Sequence, residues 1–151
     1  MNTDIIEREI TIHAPVDRVW SLVTEAEHLG TWFGQTGAAI DLVPGGAIEV
    51  HWHGNHSLHG VVQTVEPTQL FAFRWRQIEL PAGAELTDGN STLVEFSLVA
   101  EGDSTRLRVV ESGFDALRMP DDDRRALHAD HTQGWRVELG ELDEHASTVA
   151  A

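Results

Sequence analysis

Cysteine and tyrosine are both absent from this 151-residue sequence. Without cysteine there are no disulfides, no thiolate metal ligands and no cysteine nucleophile. Basic side chains are scarce: 10 Lys and Arg stand against 25 Asp and Glu, for a formal net charge of −15. A surface that negative repels phosphate backbones, which argues against nucleic acid and anionic membranes as partners. No window approaches the ~18 apolar residues of a membrane span. Met1-Asn2-Thr3-Asp4 opens the chain with neither the basic region nor the apolar core of a signal peptide. These absences lead to the expectation of a soluble, cytoplasmic protein with no membrane partner. Catalytic signatures are missing as well: there is no phosphate-cradling glycine loop, no Gly-x-Ser-x-Gly elbow and no His-Glu-x-x-His.

What is present has the order strand, helix, many strands, helix. The length suits one domain spanning 1–151, with an ordered core expected over about 5–145. Ile6, Ile10 and Ile12 alternate with polar residues over 5–13, the pattern of a half-buried strand. Ala14-Pro15 ends it, and Pro15 is placed to open the next helix, whose apolar stripe is Val16, Val19, Trp20 and Val23. Thr24 with Glu27 reads as a capping box for a second short helix around 26–30. The period then becomes two, predicting strands over 38–42, 47–53, 58–66, 69–77, 91–101 and 104–112. Pro44-Gly45-Gly46, Gly54-Asn55, Glu66-Pro67-Thr68 and Glu101-Gly102-Asp103 separate them, and Pro81–Asn90 forms a longer polar loop. Pro120 with Asp121-Asp122-Asp123 starts a terminal helix, because carboxylates favour the positive end of the helix dipole. Its apolar face is Leu127, His131, Trp135, Leu139 and Leu142, ending near His145, with fraying expected from Ala146 on. One long and two short helices cannot cover both faces of about seven strands. A strongly curved antiparallel sheet wrapped around the terminal helix solves the geometry and leaves room for a cavity between them.

Several segments resemble a known family. Ala14-Pro15-Val16-Asp17-Arg18-Val19-Trp20 is similar to the start of SRPBCC (START-like) domains. Leu29-Gly30-Thr31-Trp32-Phe33, the run from Pro44-Gly45-Gly46 through Gly60 and Val65-Glu66-Pro67 to Phe73-Arg74-Trp75, and Thr105-Arg106-Leu107 to Glu111-Ser112-Gly113-Phe114 narrow it. Gly134-Trp135 with Leu139 and Leu142 completes the pattern. Over roughly residues 5–143 the chain resembles homologues of the C-terminal domain of the activator of the ninety-kilodalton heat-shock protein's ATPase. The resemblance implies an α+β helix-grip fold. It also implies a superfamily whose members bind lipids, hormones or polyketides, some of them catalysing cyclisation or hydrolysis in the cavity.

Three constellations carry candidate chemistry. His51, His53, His56 and His59 crowd the hairpin around Gly54-Asn55. A two- or four-residue turn puts His51, His53 and His56 on one face, a possible zinc set, with His59 opposite. The competing reading is a polar outer face, with Ile48, Val50 and Trp52 turned to the core. The aromatics Trp32, Phe33, Trp52, Phe73, Trp75 and Trp135, with Leu139, supply either core packing or cavity wall. Gly134, beside Trp135, is read as a position where another segment approaches closely. Finally, His131 and Glu111 interrupt apolar stripes. They serve as polar anchors in the cavity, or else Glu111 pairs with an arginine at the rim and His131 bonds to backbone.

The leading expectation is a protein binding a small apolar or amphipathic molecule, with no cofactor and no metal. A cavity enzyme using His131 and Glu111 as general acid or base is the alternative. A third reading is a co-chaperone-like module with a filled interior and a protein partner.

Overall fold

Alternation of apolar and polar residues, with turn residues between the runs, builds one seven-stranded antiparallel sheet. The structure is a computed structural model that describes residues 4–149. Its strands are β1 (Ile5–Ile12), β2 (Ala38–Ile40), β3 (Ala47–Trp52), β4 (His56–Glu66), β5 (Leu70–Arg76), β6 (Ser91–Glu101) and β7 (Ser104–Ser112). Their order is β1-β7-β6-β5-β4-β3-β2, a meander from β2 to β7 with β1 on the far edge. The helices are α1 (Val16–Thr24), α2 (Ala26–His28), which runs on into a π-helical turn over Leu29–Phe33, and α3 (Asp121–Val149).

The inner sheet face supplies Ile48, Val50, Leu58, Val62, Phe71, Phe73, Val94, Phe96, Leu107 and Val109, all buried. Full burial of side chains of this kind contributes about 1.5–3 kcal/mol each. Val19, Leu22 and Val23 of α1 and Trp135, Leu139 and Leu142 of α3 close the core from the other side. The outer sheet face is charged, with Glu7 paired to Arg108 at 2.7 Å and Arg106 to Glu9 at 3.6 Å. Arg74 also belongs to the outer side, bonded to Asp88 at 2.9 Å, while Phe73 is buried and Trp75 half-buried.

Local chemistry corrects several expectations. Pro15 is extended (φ −66°, ψ 155°) and precedes the first helical residue, Val16. The Thr24–Glu27 capping box does not form. The Thr24 hydroxyl donates to the Trp20 carbonyl at 2.7 Å, and Glu25 caps α2 without a side-chain bond. The π turn that follows lies directly on the start of β2: a Cβ on Gly30 would come within 2.8 Å of Gly37 and of the Ala38 nitrogen. That close approach drives Trp32 and Phe33 into the interior, each 2% exposed.

At the start of α3, Arg124 and Arg125 pair with Asp121 and Asp122, one turn back. The helix passes His145 and continues to Val149, because Ala146 is buried and the Arg18 guanidinium donates to the Val149 carbonyl at 2.8 Å. The end of the tail for which fraying was expected, residues 150–151, lies outside the described residues.

Candidate functional site

The hairpin between β3 and β4 decides which side chains reach the site. Its connection is a three-residue turn, His53–Asn55, with Gly54 and Asn55 at φ 78° and 64°. An odd turn length reverses the faces expected from a two- or four-residue one. His56 pairs across from Trp52, and His59 from Glu49. His51 therefore stays on the outer face, bonded to Ser57 Oγ at 2.8 Å, and His59 meets Glu49 at 3.2 Å beside it. His53 leaves the ladder into the turn, and His56 goes to the Trp52 side. The possible zinc set of His51, His53 and His56 is thus divided between faces, and no cluster of three metal-binding side chains occurs among the described residues.

Trp52 and His56 form one wall of a solvent-open cleft of about 500 Å³, beside the middle of α3. Trp75 and Arg76 come from the end of β5, Gln77 from the residue after it, Phe33 from the π turn, and Asp130, His131, Gly134, Trp135 and Glu138 from α3. The volume lies in the range of small-molecule pockets, roughly 300–1,000 Å³. Of the residues expected to line a cavity, Phe33, Trp52, Trp75, His131 and Trp135 meet here. Trp32, Phe73 and Leu139 do not reach the cleft; they are 2%, 0% and 1% exposed in the core beneath it. The grip's interior is filled by rings: Phe33 stacks on Trp135 at 5.4 Å and on Trp32 at 5.2 Å, with Phe96 edge-on to Trp135 at 5.8 Å. This cleft lies on the flank of α3 rather than under it, and a second of about 590 Å³ opens beside Arg74, Asp88 and Gly113.

Gly134 corrects another expectation. No protein segment approaches it, since a Cβ built there meets no atom within 4 Å. It enlarges the cleft instead.

Behind the cleft wall lies Glu111, wholly buried at the end of β7. No arginine pairs with it among the described residues. His131 Nδ1 lies 2.9 Å from each carboxylate oxygen, the Trp135 indole N–H donates to Oε1 at 2.9 Å, and the Thr92 hydroxyl donates to Oε2 at 2.6 Å. Gln77 extends the chain by donating to Thr92 Oγ1 at 3.2 Å. These bonds satisfy both carboxyl oxygens, which is what burial of a polar group requires. With Nδ1 occupied, His131 has Nε2 left for the cleft, while its ring stacks on Trp75 at 4.5 Å.

Glu138 is the functional candidate that sequence reasoning missed. It is half-buried on the cleft wall, and its Oε2 is buried with no hydrogen-bond partner. Burial pushes its carboxyl up to about 7; a hydrogen bond from the Trp52 indole pulls it down, and the Glu141 carboxylate adds to the rise. The signal was spacing: Glu138 follows Gly134 by four and His131 by seven, one helical face rotated from the Trp135–Leu139 stripe.

The fold recurs among solved structures. MLL2253 from Mesorhizobium loti aligns with a TM-score of 0.79 at 18% identity, over 97% of this chain and 99% of its own. The Aha1 dimer from Colwellia psychrerythraea aligns at 0.70 and 19% identity, over 93% of each chain. DynU16, a protein in the dynemicin biosynthetic locus, aligns at 0.73 and 24% identity over 96% of this chain, which spans only 48% of that protein. At such identities the likeness establishes the helix-grip fold alone. No curated protein matches the chain. Residues 13–147 match the family described as Activator of Hsp90 ATPase homolog 1-like protein, and with most of its length inside that match the chain belongs to this START-like family.

Proposed function

We propose that this is a small-molecule-binding protein whose ligand, apolar or amphipathic, lies in the cleft between the end of the sheet and α3. The observation that carries the reading is a cleft of about 500 Å³ walled by the half-exposed indoles of Trp52 and Trp75, with Phe33 and Trp135 packed behind them. Large aromatic surface beside a few convergent polar groups is the composition of a ligand pocket. His131, fixed by Glu111, is its polar anchor. Native mass spectrometry on gently purified protein tests this directly. The expected result is an organic adduct, about one per chain, released by denaturation. A bare mass, with indole NMR signals that stay put when small aromatic probes are titrated in, would sink the proposal.

One observation favours catalysis in the same cleft. Glu111 orients His131 by Nδ1, as a carboxylate does for a histidine that moves protons through its other nitrogen. This reading requires a bell-shaped pH–rate profile that loses one limb in His131→Ala. An interaction module has less support. The exposed large apolar residues among those described come from scattered parts of the chain: Val43 in the β2–β3 loop, Val61 on β4, Val99 on β6 and Val137 on α3.

A further inference from the structure

The cleft's polar groups narrow the class of molecule it takes. Glu138 supplies a carboxyl oxygen, Oε2, that is buried and lacks a hydrogen-bond donor. A buried polar atom left unpaired is uncommon and costs about 1–3 kcal/mol. No lysine is available to fill the gap, because the sequence contains none; all ten of its Lys and Arg positions are arginine. Around Glu138 stand Trp52, Trp75 and Trp135, the side chain whose ring face attracts cations most strongly. Asp130 adds a second carboxylate to the cleft, and the formal charge of −15 draws cations toward it from a distance.

We infer that the cleft binds a protonated primary amine with an apolar, aromatic-sized body, its ammonium donating to the Glu138 carboxylate and its body lying against the indoles of Trp52 and Trp75. The inference rests on the binding role proposed above and names the substrate class for that site. A turn of the half-buried Glu138 carboxyl brings Oε2 to the cleft, where an N–H donor gives it the partner it lacks. A quaternary ammonium brings charge but no donor and leaves that atom unsatisfied. Arg76, at the end of β5, is the one arginine lining the cleft among the described residues, and it favours the opposite charge. The two demands are separable by experiment. Besides Arg76, the titratable and charged groups around Glu138 are His56 from β4 and Asp130, His131 and Glu141 from α3. Because burial holds the Glu138 carboxyl at about 7, amine binding displaces a proton from it, and affinity for the amine rises as pH increases through that value.

Three probes of matched size decide the matter: 2-phenylethylamine, 2-phenylethanol and 3-phenylpropionate, each titrated into the full chain and followed by tryptophan fluorescence and indole NMR signals. The expected order is amine tightest, alcohol weaker and acid weakest. In Glu138→Gln, which keeps the shape of the side chain, the amine weakens by about tenfold, equivalent to about 1.4 kcal/mol, and the alcohol is unchanged. Asp130→Asn weakens the amine less, and thermal unfolding of each variant verifies that it is folded. Equal affinity for amine and alcohol, or tightest binding of the acid, overturns the amine assignment while leaving a binding cleft intact. Unchanged amine affinity in folded Glu138→Gln overturns it too. If none of the three probes binds, the small-molecule reading itself fails.

Discussion

Gly134 sits in the middle of α3, facing the cleft, where a Cβ meets no atom within 4 Å. Replacing it by leucine therefore adds four carbons to the cleft and none to the packed core. Leucine in place of glycine in a helix interior favours the helix by about 0.8 kcal/mol. For a chain of this size that corresponds to a rise in unfolding temperature of about 2–3 °C. The same four carbons lie beside Trp135 and Glu138, where a bound aromatic body must rest, so affinity for 2-phenylethylamine falls at least tenfold, or about 1.4 kcal/mol. Gly140 provides the control: it is exposed on the same helix, also has open space at its Cβ, and does not line the cleft. Gly140→Ala gains about 1 kcal/mol of helix stability and leaves binding untouched. Circular dichroism melts and fluorescence titration of the two variants read both quantities. Unchanged probe affinity in Gly134→Leu refutes the placement of the ligand. A lowered unfolding temperature refutes the open space at residue 134.

Two further outcomes concern the buried carboxylates. Glu111→Leu leaves the Thr92 hydroxyl, the Trp135 indole N–H and the His131 ring without their acceptor. Urea denaturation is expected to show a loss of about 3–5 kcal/mol, with a fall in unfolding temperature of about 10 °C; a loss below about 1 kcal/mol contradicts the network. Glu138, raised to about 7 from the ordinary 4.5, binds more protons folded than unfolded between those values. Its contribution therefore makes stability fall as pH rises through that window. His145, whose pKa is lowered by burial and then by His28, contributes the opposite slope through the imidazole range. The difference between wild-type and Glu138→Gln urea midpoints isolates the Glu138 effect, since His145 is common to both. Parallel curves from about pH 5 to 8 would show that the carboxyl is not desolvated.

The strands were legible because one buried face imposes alternation and turn residues mark its interruptions. Every strand from β1 to β7 falls on an expected run, with β4 beginning earlier, at His56. The start of α3 was legible for a similar reason, since Pro120 and three aspartates have few other uses together. Parity was not legible. Gly54-Asn55 suits several hairpin turns, and adding His53 to the turn moves His56 across the sheet to Trp52. The cleft was only half legible. The stripe through His131, Trp135 and Leu139 marks the side of α3 that meets the core, whereas the cleft follows the flank through His131, Gly134 and Glu138. A glycine beside a tryptophan reads equally well as close packing or as open space, and only the fold distinguishes them.

The Glu111 network also sets how α3 is seated. Stacked rings are tolerant contacts: a helix held to the sheet by Phe33, Phe96 and Trp135 alone could turn or slide and still bury apolar surface. One carboxylate on β7 that must satisfy Thr92 on β6 and both His131 and Trp135 on α3 removes that latitude. A shift of one helical turn, about 5.4 Å, would break both helix-side bonds together. Glu111 thus acts as an index pin, fixing α3 in rotation and translation and bringing Gly134 and Glu138 opposite Trp52.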